Sequence, residues 1–362
     1  MGESNAKTIR WGIIGCGLVS SWFVSDLVLE RPGASTRHVV QAIGSSSLAK
    51  AASFVAKNCP SSSPRLCGNY KEVYSDESVD IVYIGTPHTL HFENVLAAIN
   101  AGKNVLCEKP LTINASQTRV LIQESRRMGV LLVEAVWTRF FPIVTEIQSL
   151  LHVQKAIGDI SRVFVDFGLD MPLSKSLPTS RCADPSLGAG ALLDIGIYTL
   201  TWAAIILGGE AQATSPEKHP EPEVLSSMSF SNGADEMTSI IMNYRDLHAQ
   251  VICTASYLFR SGDEFCRIEG SDGSISVGGV AGSKPEFLVI RKKGEADEKR
   301  IFKTLGRGFC YEQDSVGGDV LAGRKESSVI PLQETERMMA LMDSIRSANG
   351  LRYIQDNEES HK

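Results

Sequence analysis

The first third of the chain alternates continuous apolar runs with stretches in which apolar residues recur every three to four positions. The runs predict buried strands, and the stretches between them predict helices. The predicted strands are IRWGIIG, HVVQAIG, VDIVYIGT, KNVLCEK and VLLVEA, and the predicted helices cover 18–29, 48–57, 88–101 and 114–128. Alternating strands and helices form βαβ units, in which helices cover both faces of a parallel sheet. The pattern predicts a doubly wound α/β Rossmann domain over residues 8–136.

After residue 136 the pattern changes. Helices are predicted over 142–153 and 333–348. The segments SRVFVDFGLD, EMTSIIMNY, AQVICTASY, EFCRIEG and PEFLVIRKK between them alternate apolar and polar residues. Such alternation is typical of an antiparallel sheet with one face in water. We therefore predict a second, α+β domain over residues 137–355, with a sheet face that could serve as a dimer surface.

The composition narrows the class of protein. A length of 362 residues, with 43% hydrophobic and 22% charged residues, suits two globular domains, and the net charge of −6 argues against a nucleic-acid partner. The start, MGESNAKTIR, lacks the apolar segment of a signal peptide, and the apolar run 195–207 is too short to span a bilayer. The eight cysteines form no CxxC and no metal-ligand spacing. We expect a cytoplasmic protein with reduced thiols, no metal and no membrane partner.

A glycine-rich turn follows the first predicted strand. Gly15 and Gly17 open a G-x-G-x-x-G/A pattern, with Ser20 in the last place. The first glycine would make the tight turn, and the second would let the backbone of Gly17 and Leu18 reach a pyrophosphate at a helix N-terminus. The position between a strand and a helix favours dinucleotide binding over a turn without a ligand.

The end of the second predicted strand indicates which dinucleotide. An NAD enzyme has an acidic residue here, which binds the ribose 2′-hydroxyl group. In this chain Ser45, Ser46 and Ser47 follow Gly44, and Lys50 comes one helical turn later. Hydroxyl groups and a cation suit a 2′-phosphate, so NADP is the expected cofactor. The alternative for Ser47 is an ordinary helix cap.

Residues that could bind a ligand or take part in a reaction stand at the ends of the later predicted strands. Because ligands bind at the carboxyl ends of parallel strands, we expect these residues near the nucleotide. They are Thr86, Pro87, His88 and His91, then Glu108 and Lys109, and finally Trp137 and Arg139. A lysine at the end of a buried strand is rarely found unless it is paired or used. The alternatives are a surface lysine at 109, helix packing for His91 and a structural ion pair for Arg139.

A second group of chemical interest lies in GAGALLDIGIYTLTW. Asp194 and Tyr198 are four residues apart, so a helix would place them on one face. An acid and a phenol on one helix face suggest a proton-handling group. Asp194 could instead cap a helix or form a structural pair.

Taken together, GCGLVSS, TPHTLH, CEKP, WTRFFP and GAGALLDIGIY resemble the Gfo/Idh/MocA oxidoreductase family. Within it, the chain is similar to the dimeric dihydrodiol dehydrogenases and to the fungal NADP-dependent D-xylose 1-dehydrogenases. The resemblance covers roughly residues 8–354. It implies a Rossmann domain, a C-terminal domain with an open, mainly antiparallel sheet, and a homodimer formed through that sheet.

The resemblance also implies roles for individual residues. Lys109 would lie beside the nicotinamide and the substrate hydroxyl group, with Glu108 near the nicotinamide ribose. Tyr198 would be the acid/base, and Asp194 would bind the substrate or orient the pair. Trp137 and Phe167 match aromatic pocket positions. An unperturbed tyrosine, with a pKa of about 10, is a poor base at neutral pH, and a nearby ammonium group favours its phenolate form.

The expected reaction is NADP-dependent oxidation of the anomeric hydroxyl group of an aldopentose such as D-xylose to the lactone. One alternative is the same chemistry on a trans-dihydrodiol, or the reduction of a keto-sugar. Others are a tailoring oxidoreductase of a biosynthetic pathway and, in a different class, a non-catalytic dinucleotide-binding regulator. A regulator predicts loss of the Lys/Tyr pair, and both residues are present.

Overall fold

The computed structural model describes residues 7–31, 34, 36–177, 180–208 and 221–357. They group into two compact units, one within Met1–Trp137 and Leu305–Glu336, the other within Thr138–Thr304 and Arg337–Lys362. The first segment of the first unit ends at Trp137, and the sequence pattern placed the domain boundary after residue 136. The segment Leu305–Glu336, which the sequence pattern assigned to the second domain, groups with the first unit instead.

The helices and strands are numbered in chain order. The helices are α1 Leu18–Leu27, α2 Leu48–Asn58, α3 Tyr70–Tyr74, α4 His91–Asn100, α5 Ala115–Met128, α6 Pro142–Gln148, α7 Ile197–Leu207, α8 Phe309–Leu321 and α9 Leu332–Ala348. The strands are β1 Lys7–Ile14, β2 Thr36–Gly44, β3 Arg65–Cys67, β4 Ile81–Ile84, β5 Asn104–Glu108, β6 Leu132–Ala135, β7 Ile160–Gly168, β8 Glu223–Ser231, β9 Ala234–Tyr244, β10 Ala249–Ser256, β11 Glu264–Gly270, β12 Gly273–Ala281, β13 Lys284–Lys292 and β14 Glu298–Ile301.

The first unit contains a six-stranded sheet in the order β3-β2-β1-β4-β5-β6, with every pair parallel. This is the strand order of the Rossmann fold, which confirms the predicted class. All four residues of β4 and of β6 are buried, as expected for strands covered on both faces. The sequence pattern missed β3, α3 and α8, because the first two are short and α8 carries two glycines in its interior.

The second unit contains an eight-stranded sheet in the order β14-β13-β12-β11-β7-β10-β9-β8. Every pair is antiparallel except β7 with β10, which is parallel. The prediction of a mainly antiparallel sheet is confirmed. Burial alternates along β7, where Val163 and Val165 are buried and Arg162 and Phe164 are not. One face of this sheet therefore packs into the unit and the other is open.

Among the described residues, Pro185–Leu207 is one stretch long and apolar enough to span a membrane by length and composition. The buried share of its most apolar window is 94%, and a core helix passes the same test. The expectation about a signal peptide rests partly on residues 1–6, which lie outside the described ranges. All eight cysteines lie in the described ranges, and none of them is half of a disulfide bond there.

Candidate active site

The glycine-rich turn between β1 and α1 has the geometry that its sequence predicts. Gly15 has a φ of +83°, and a Cβ atom there would lie 2.6 Å from the carbonyl oxygen of Gly85, so only glycine fits. At Gly17 a Cβ atom would meet nothing nearer than 3.9 Å. Gly17 is the N-cap of α1 and supplies no side-chain cap. The first N–H groups of α1, beginning at Leu18, can therefore bind an anion such as a pyrophosphate.

Ser20 occupies the last position of the glycine pattern. Its side chain is fully buried, and a Cβ atom on Gly85, directly after β4, would collide with its hydroxyl oxygen. The helix and the strand end therefore approach each other closely, which is the purpose of a small residue here.

The serines after β2 divide into two kinds. The Oγ atom of Ser47 accepts a hydrogen bond from the backbone N–H of Lys50 at 3.3 Å, so Ser47 caps α2, and Ser45 is buried. Ser46 is exposed, and its Oγ atom accepts from Lys50 Nζ at 3.1 Å. No acidic residue occurs between Gly44 and Glu72. The exposed hydroxyl group and ammonium group can hold a phosphate, and no carboxylate in this loop would repel it.

The turn after β5 is fixed by its neighbours. Glu108 and Lys109 are both buried. The hydroxyl group of Tyr83, on β4, donates a 2.7 Å hydrogen bond to Glu108 Oε1. On the other side, the backbone N–H of Leu111 donates to Glu134 Oε1, on β6, at 2.9 Å. Lys109 therefore lies on a rigid turn at the carboxyl edge of the parallel sheet, where ligands of such sheets bind.

His91 packs between the turns that follow β4 and β5. Its ring is fully buried, with Nδ1 at 2.8 Å from the carbonyl oxygen of Pro110 and Nε2 at 2.9 Å from that of Thr86. Both nitrogens face the backbone, so the ring supports the turns after β4 and β5, and the cofactor contact of His91 stays a prediction. Burial lowers the pKa of His91 to about 4. His88, whose ring lies 5.8 Å from that of His91, is also buried.

Trp137 is positioned by a residue that the sequence pattern did not single out. Its indole stacks on the ring of Phe309, the first residue of α8, with centroids 4.5 Å apart and an interplanar angle of 18°. Arg139 lies in the same short 3₁₀ turn as Trp137, is buried, and groups with the second unit.

Asp194 lies in a cluster within the second unit. It belongs to a π-helical turn, Leu192–Gly196, that precedes α7, so the expected regular α-helix begins only after it. Its Oδ1 atom accepts from Arg181 Nη1 at 3.3 Å, and its Oδ2 atom accepts from the hydroxyl group of Tyr257 at 2.8 Å. The charge of Asp194 raises the pKa of Arg181, and burial together with that charge raises the pKa of Tyr257. The carboxylate is therefore held from two sides.

Tyr198 lies in the first turn of α7, and its ring packs beside Phe167, with centroids 5.7 Å apart. Both side chains are almost completely buried. A Cβ atom at Gly282 would lie 3.0 Å from Phe167, and the carbonyl oxygen of Gly282 accepts a 2.7 Å hydrogen bond from Trp202. These contacts fix the aromatic wall next to the phenol.

Three residues of these clusters were missed by the sequence pattern. Tyr257 directly follows β10, and its place at the carboxyl end of a strand was a usable signal. Arg181 lies in an irregular segment, and Phe309 starts a helix with weak periodicity, so neither stood out. Across the described ranges, no three His, Cys, Asp or Glu residues are grouped so that they could hold a metal ion.

Comparisons with known proteins agree with this architecture. Residues 9–135 match the model of the GFO_IDH_MocA oxidoreductase family with an NAD-binding Rossmann fold, and residues 146–276 match the GFO/IDH/MocA C-terminal domain. The chain is 32% identical to a D-xylose 1-dehydrogenase (NADP(+)) of Hypocrea jecorina, over 98% of this chain and 95% of the relative. It is 33% identical to a trans-1,2-dihydrobenzene-1,2-diol dehydrogenase of Bos taurus, over 96% of this chain and 99% of the relative.

Two solved structures show the same fold at lower identity. A levoglucosan dehydrogenase in complex with NADH and levoglucosan superposes with a TM-score of 0.81 at 17% identity, covering 95% of this chain and 98% of the other. A 3-ketoreductase from Actinomadura kijaniata with bound NADP gives a TM-score of 0.78 at 22% identity, with the same coverage. From the matched domains and the full-length relatives together, the chain is a member of the Gfo/Idh/MocA family of oxidoreductases.

Proposed function

We propose that this oxidoreductase oxidises the anomeric hydroxyl group of an aldopentose such as D-xylose to the lactone, with NADP as the cofactor. The observation that carries the proposal is the buried Lys109 on the rigid turn after β5, at the carboxyl edge of a Rossmann sheet. The fungal relative named as an NADP(+)-dependent D-xylose 1-dehydrogenase supports the choice of substrate and cofactor.

The first unit has the features needed to hold NADP. The open surface over Gly17 and the uncapped start of α1 suit the pyrophosphate. Ser46 and Lys50 suit the 2′-phosphate, with Ser45 and Ser47 shaping the loop. We also assign to the cofactor the residues at the ends of the later strands, namely Thr86, Pro87, His88, His91, Trp137 and Arg139, with Glu108 at the nicotinamide ribose. Bound NADP would accept the hydride from the substrate carbon.

The proton chemistry belongs to two side chains in this proposal. Tyr198 takes the proton of the substrate hydroxyl group, and Lys109 donates a hydrogen bond to the oxygen as its negative charge develops. General acid/base help of this kind typically contributes about 10²–10⁴-fold in rate. Both carboxylate oxygens of Asp194 accept hydrogen bonds from side chains of its own unit, which hold the carboxylate in place. In this proposal the fixed carboxylate orients the substrate. Phe167 and Trp137 supply apolar walls.

The second candidate is a trans-dihydrodiol dehydrogenase. The aromatic ring of Phe167 beside Tyr198 favours it, because an apolar wall accepts an arene diol as well as the apolar face of a sugar ring. The Bos taurus relative carries this name. A keto-sugar reductase would use the same residues in the opposite direction. A biosynthetic tailoring enzyme would use them on a larger substrate, and a regulator would not need Lys109 or Tyr198.

The test is the formation of NADPH from NADP by the purified protein, with D-xylose, other pentoses, hexoses and an arene trans-dihydrodiol as parallel substrates. We expect turnover with D-xylose that falls by about 10²-fold or more in Tyr198→Phe. Tyr244→Phe is the matched control, because Tyr244 pairs with the start of β10 whereas Phe167 pairs with its end. Turnover of only the diol would favour the second candidate. Tight NADP binding without turnover of any substrate would contradict the D-xylose proposal.

A double-mutant cycle tests whether Lys109 and Tyr198 act in the same chemical step. We expect Lys109→Met to lower kcat/KM strongly, and the double variant with Tyr198→Phe to lose less than the two separate losses combined, since both would act on one proton transfer. Lys71→Met, an exposed lysine on α3, is the control. Fully independent losses would show that the two residues serve different steps.

We also propose that the protein is a cytoplasmic homodimer that pairs through the open face of the eight-stranded sheet. Leu225, Ile241, Ile252 and Phe164 are successive partners across this face and form an apolar row. Leu225 is 71% exposed and Ile241 is 38% exposed. A second copy would cover the row. We expect light scattering to give the mass of a dimer, and Ile241→Lys to give a monomer, whereas the exposed control Val153→Lys stays dimeric. A monomeric wild type would overturn the proposal.

A further inference from the structure

The buried carboxylate of Asp26, in the last turn of α1, lies against the start of α8. Its Oδ2 atom accepts hydrogen bonds from the backbone N–H groups of Arg307, Gly308 and Phe309 at 2.9, 2.9 and 3.0 Å. Its Oδ1 atom lies 3.0 Å from the same nitrogen of Arg307. Gly308 is the N-cap of α8 and supplies no side-chain cap. A carboxylate from another helix therefore caps α8, where N–H groups lack partners and negative charge is favoured.

The chain comes very close to α1 to make these bonds. Gly306 has a φ of +58°, and a Cβ atom there would collide with Asp26 Oδ1, so only glycine fits. Further along α8, Gln313 Nε2 donates a 2.8 Å hydrogen bond to the carbonyl oxygen of Phe23, on α1. The start of α8 is thus attached to α1 at two places, and any shift of it would break hydrogen bonds of buried groups.

Phe309 connects this cap with the aromatic wall of the first unit. It is the first residue of α8, and its own N–H group is one of those that Asp26 binds. Its ring stacks on the indole of Trp137 at 4.5 Å and meets the ring of Phe23 edge-on at 5.9 Å. Phe23 lies three residues before Asp26, so one face of α1 holds both the backbone and the ring of Phe309. Asp26 and Trp137 are therefore joined by direct contacts through a single residue.

From these contacts we infer that Asp26 is a positioning residue of the cofactor site. It fixes Phe309, and the ring of Phe309 holds the indole of Trp137 in the orientation that NADP meets. This inference rests on the proposed function, which assigns Trp137 to the cofactor. Helix α1 then serves the cofactor twice, since its uncapped N-terminus suits the pyrophosphate and Asp26, in its last turn, sets the aromatic wall. Asp26 itself touches neither cofactor nor substrate in this proposal.

The link between Asp26 and Trp137 can be measured without cofactor or substrate. The chain contains four tryptophans, so labelling with 5-fluorotryptophan gives four fluorine NMR resonances, and Trp137→Phe identifies that of Trp137. We expect this resonance to shift in Asp26→Ala in the same direction as in Phe309→Leu, because both changes remove the shielding by the stacked ring. Asp26→Asn, which keeps one acceptor oxygen, should give a smaller shift and decides the matter if Asp26→Ala does not fold.

Asp319→Asn is the control, because it alters another buried acid on α8 far from the first turn. It should leave the Trp137 resonance in place even if it destabilises the protein. A Trp137 resonance that stays in place in the folded Asp26 variants would overturn the inference.

The consequence for the cofactor is tested by a double-mutant cycle on the affinity for NADPH. We expect Asp26→Ala to raise the Kd for NADPH by about 3–10-fold in the wild-type background and by less than about twofold in a Phe309→Leu background. The KM for NADP should change more than kcat, because Lys109 and Tyr198 are untouched. Equal increases of Kd in both backgrounds would show that Asp26 does not act through Phe309, which contradicts the inference.

Trp137→Leu separates a failure of this inference from a failure of the proposed function. If Trp137→Leu weakens NADPH binding and the Asp26 variants do not, the inference is wrong. If Trp137→Leu leaves the Kd for NADPH unchanged, the proposed cofactor role of Trp137 is wrong, and the fluorine resonance still decides whether Asp26 positions the indole.

Discussion

The hydroxyl group of Tyr257 donates a 2.8 Å hydrogen bond to Oδ2 of Asp194, while Arg181 bonds the other oxygen of the same carboxylate. The acid lies at the start of the helical segment that carries Tyr198, and its orientation is set by partners on two other segments of the same unit. A carboxylate held in this way loses little conformational entropy when a substrate binds, which is the condition for a preorganised site.

Replacing Asp194 by Asn should lower kcat/KM by about 10–100-fold while the affinity for NADP stays the same. The physical reason is that the amide group would present a donor to either Arg181 or Tyr257, which disrupts the cluster. Steady-state kinetics together with a fluorescence titration of NADPH separate the two effects. Asp170→Asn, at an exposed aspartate, is the control. A large loss of NADP affinity in Asp194→Asn would point to a cofactor role instead.

Replacing Lys50 by Glu should weaken NADP much more than NAD. The carboxylate would repel a 2′-phosphate and leave the exposed Ser46 without its cation. We expect KM for NADP to rise by about 10–100-fold, with KM for NAD changed by less than about threefold. Lys57→Glu, at the other end of α2, places the same charge away from the loop and is the control. Equal effects on the two cofactors would mean that the phosphate binds elsewhere.

His91 should make the folded state sensitive to acid. Its pKa is lowered to about 4 by burial, whereas the unfolded chain binds the proton near pH 6.5. The unfolded state therefore binds more protons between these values, and stability rises with pH through this window and falls as the pH drops from 6.5 toward 4. The full effect is about 3 kcal/mol.

The measurement is the change in unfolding free energy between pH 7 and pH 5, from urea denaturation. We expect a larger change in wild type than in His91→Phe, even though the variant is less stable at both pH values. His248→Asn, at an exposed histidine, should keep the wild-type difference. An unchanged pH dependence in His91→Phe would show that His91 titrates normally in the folded protein.

Tyr353 should support the loop that leads into the Asp194 turn. Its hydroxyl group donates a 2.6 Å hydrogen bond to the carbonyl oxygen of Ala189. The next residue, Gly190, has a φ of +136° and packs against Asp235. Tyr353→Phe would leave the buried carbonyl of Ala189 without this donor, at a cost of about 1–3 kcal/mol in unfolding free energy. Tyr244→Phe is the control. A stability loss equal to that of the control would contradict the supporting role.

Local sequence patterns were enough to predict most of the secondary structure of the first unit. The apolar runs within β1, β2, β4, β5 and β6 could be read directly, because strands covered on both faces are rich in consecutive apolar residues. Gly15 was readable because its positive φ admits only glycine, and Lys109 stood out because a cation at the end of a buried strand is unusual. The strands of the second unit could be predicted from their two-residue alternation of apolar and polar positions. The exceptions are β8, β12 and β14, which the pattern missed.

The amino-acid sequence by itself thus determined the alternation of strands and helices in the first unit, the glycine-rich turn and the identity of the chemical groups, since each of these depends on neighbours within a few residues. Only the tertiary structure decided which side chains support them. Arg181 and Tyr257 reach Asp194 from 13 and 63 residues away. Phe309 joins the first unit after an interval of more than a hundred residues, and its ring stacks on that of Trp137. The two carbonyl oxygens that face the ring of His91 belong to Thr86, five residues away, and to Pro110, 19 residues away. Such contacts depend on how packed elements meet, and no local period in the sequence records that.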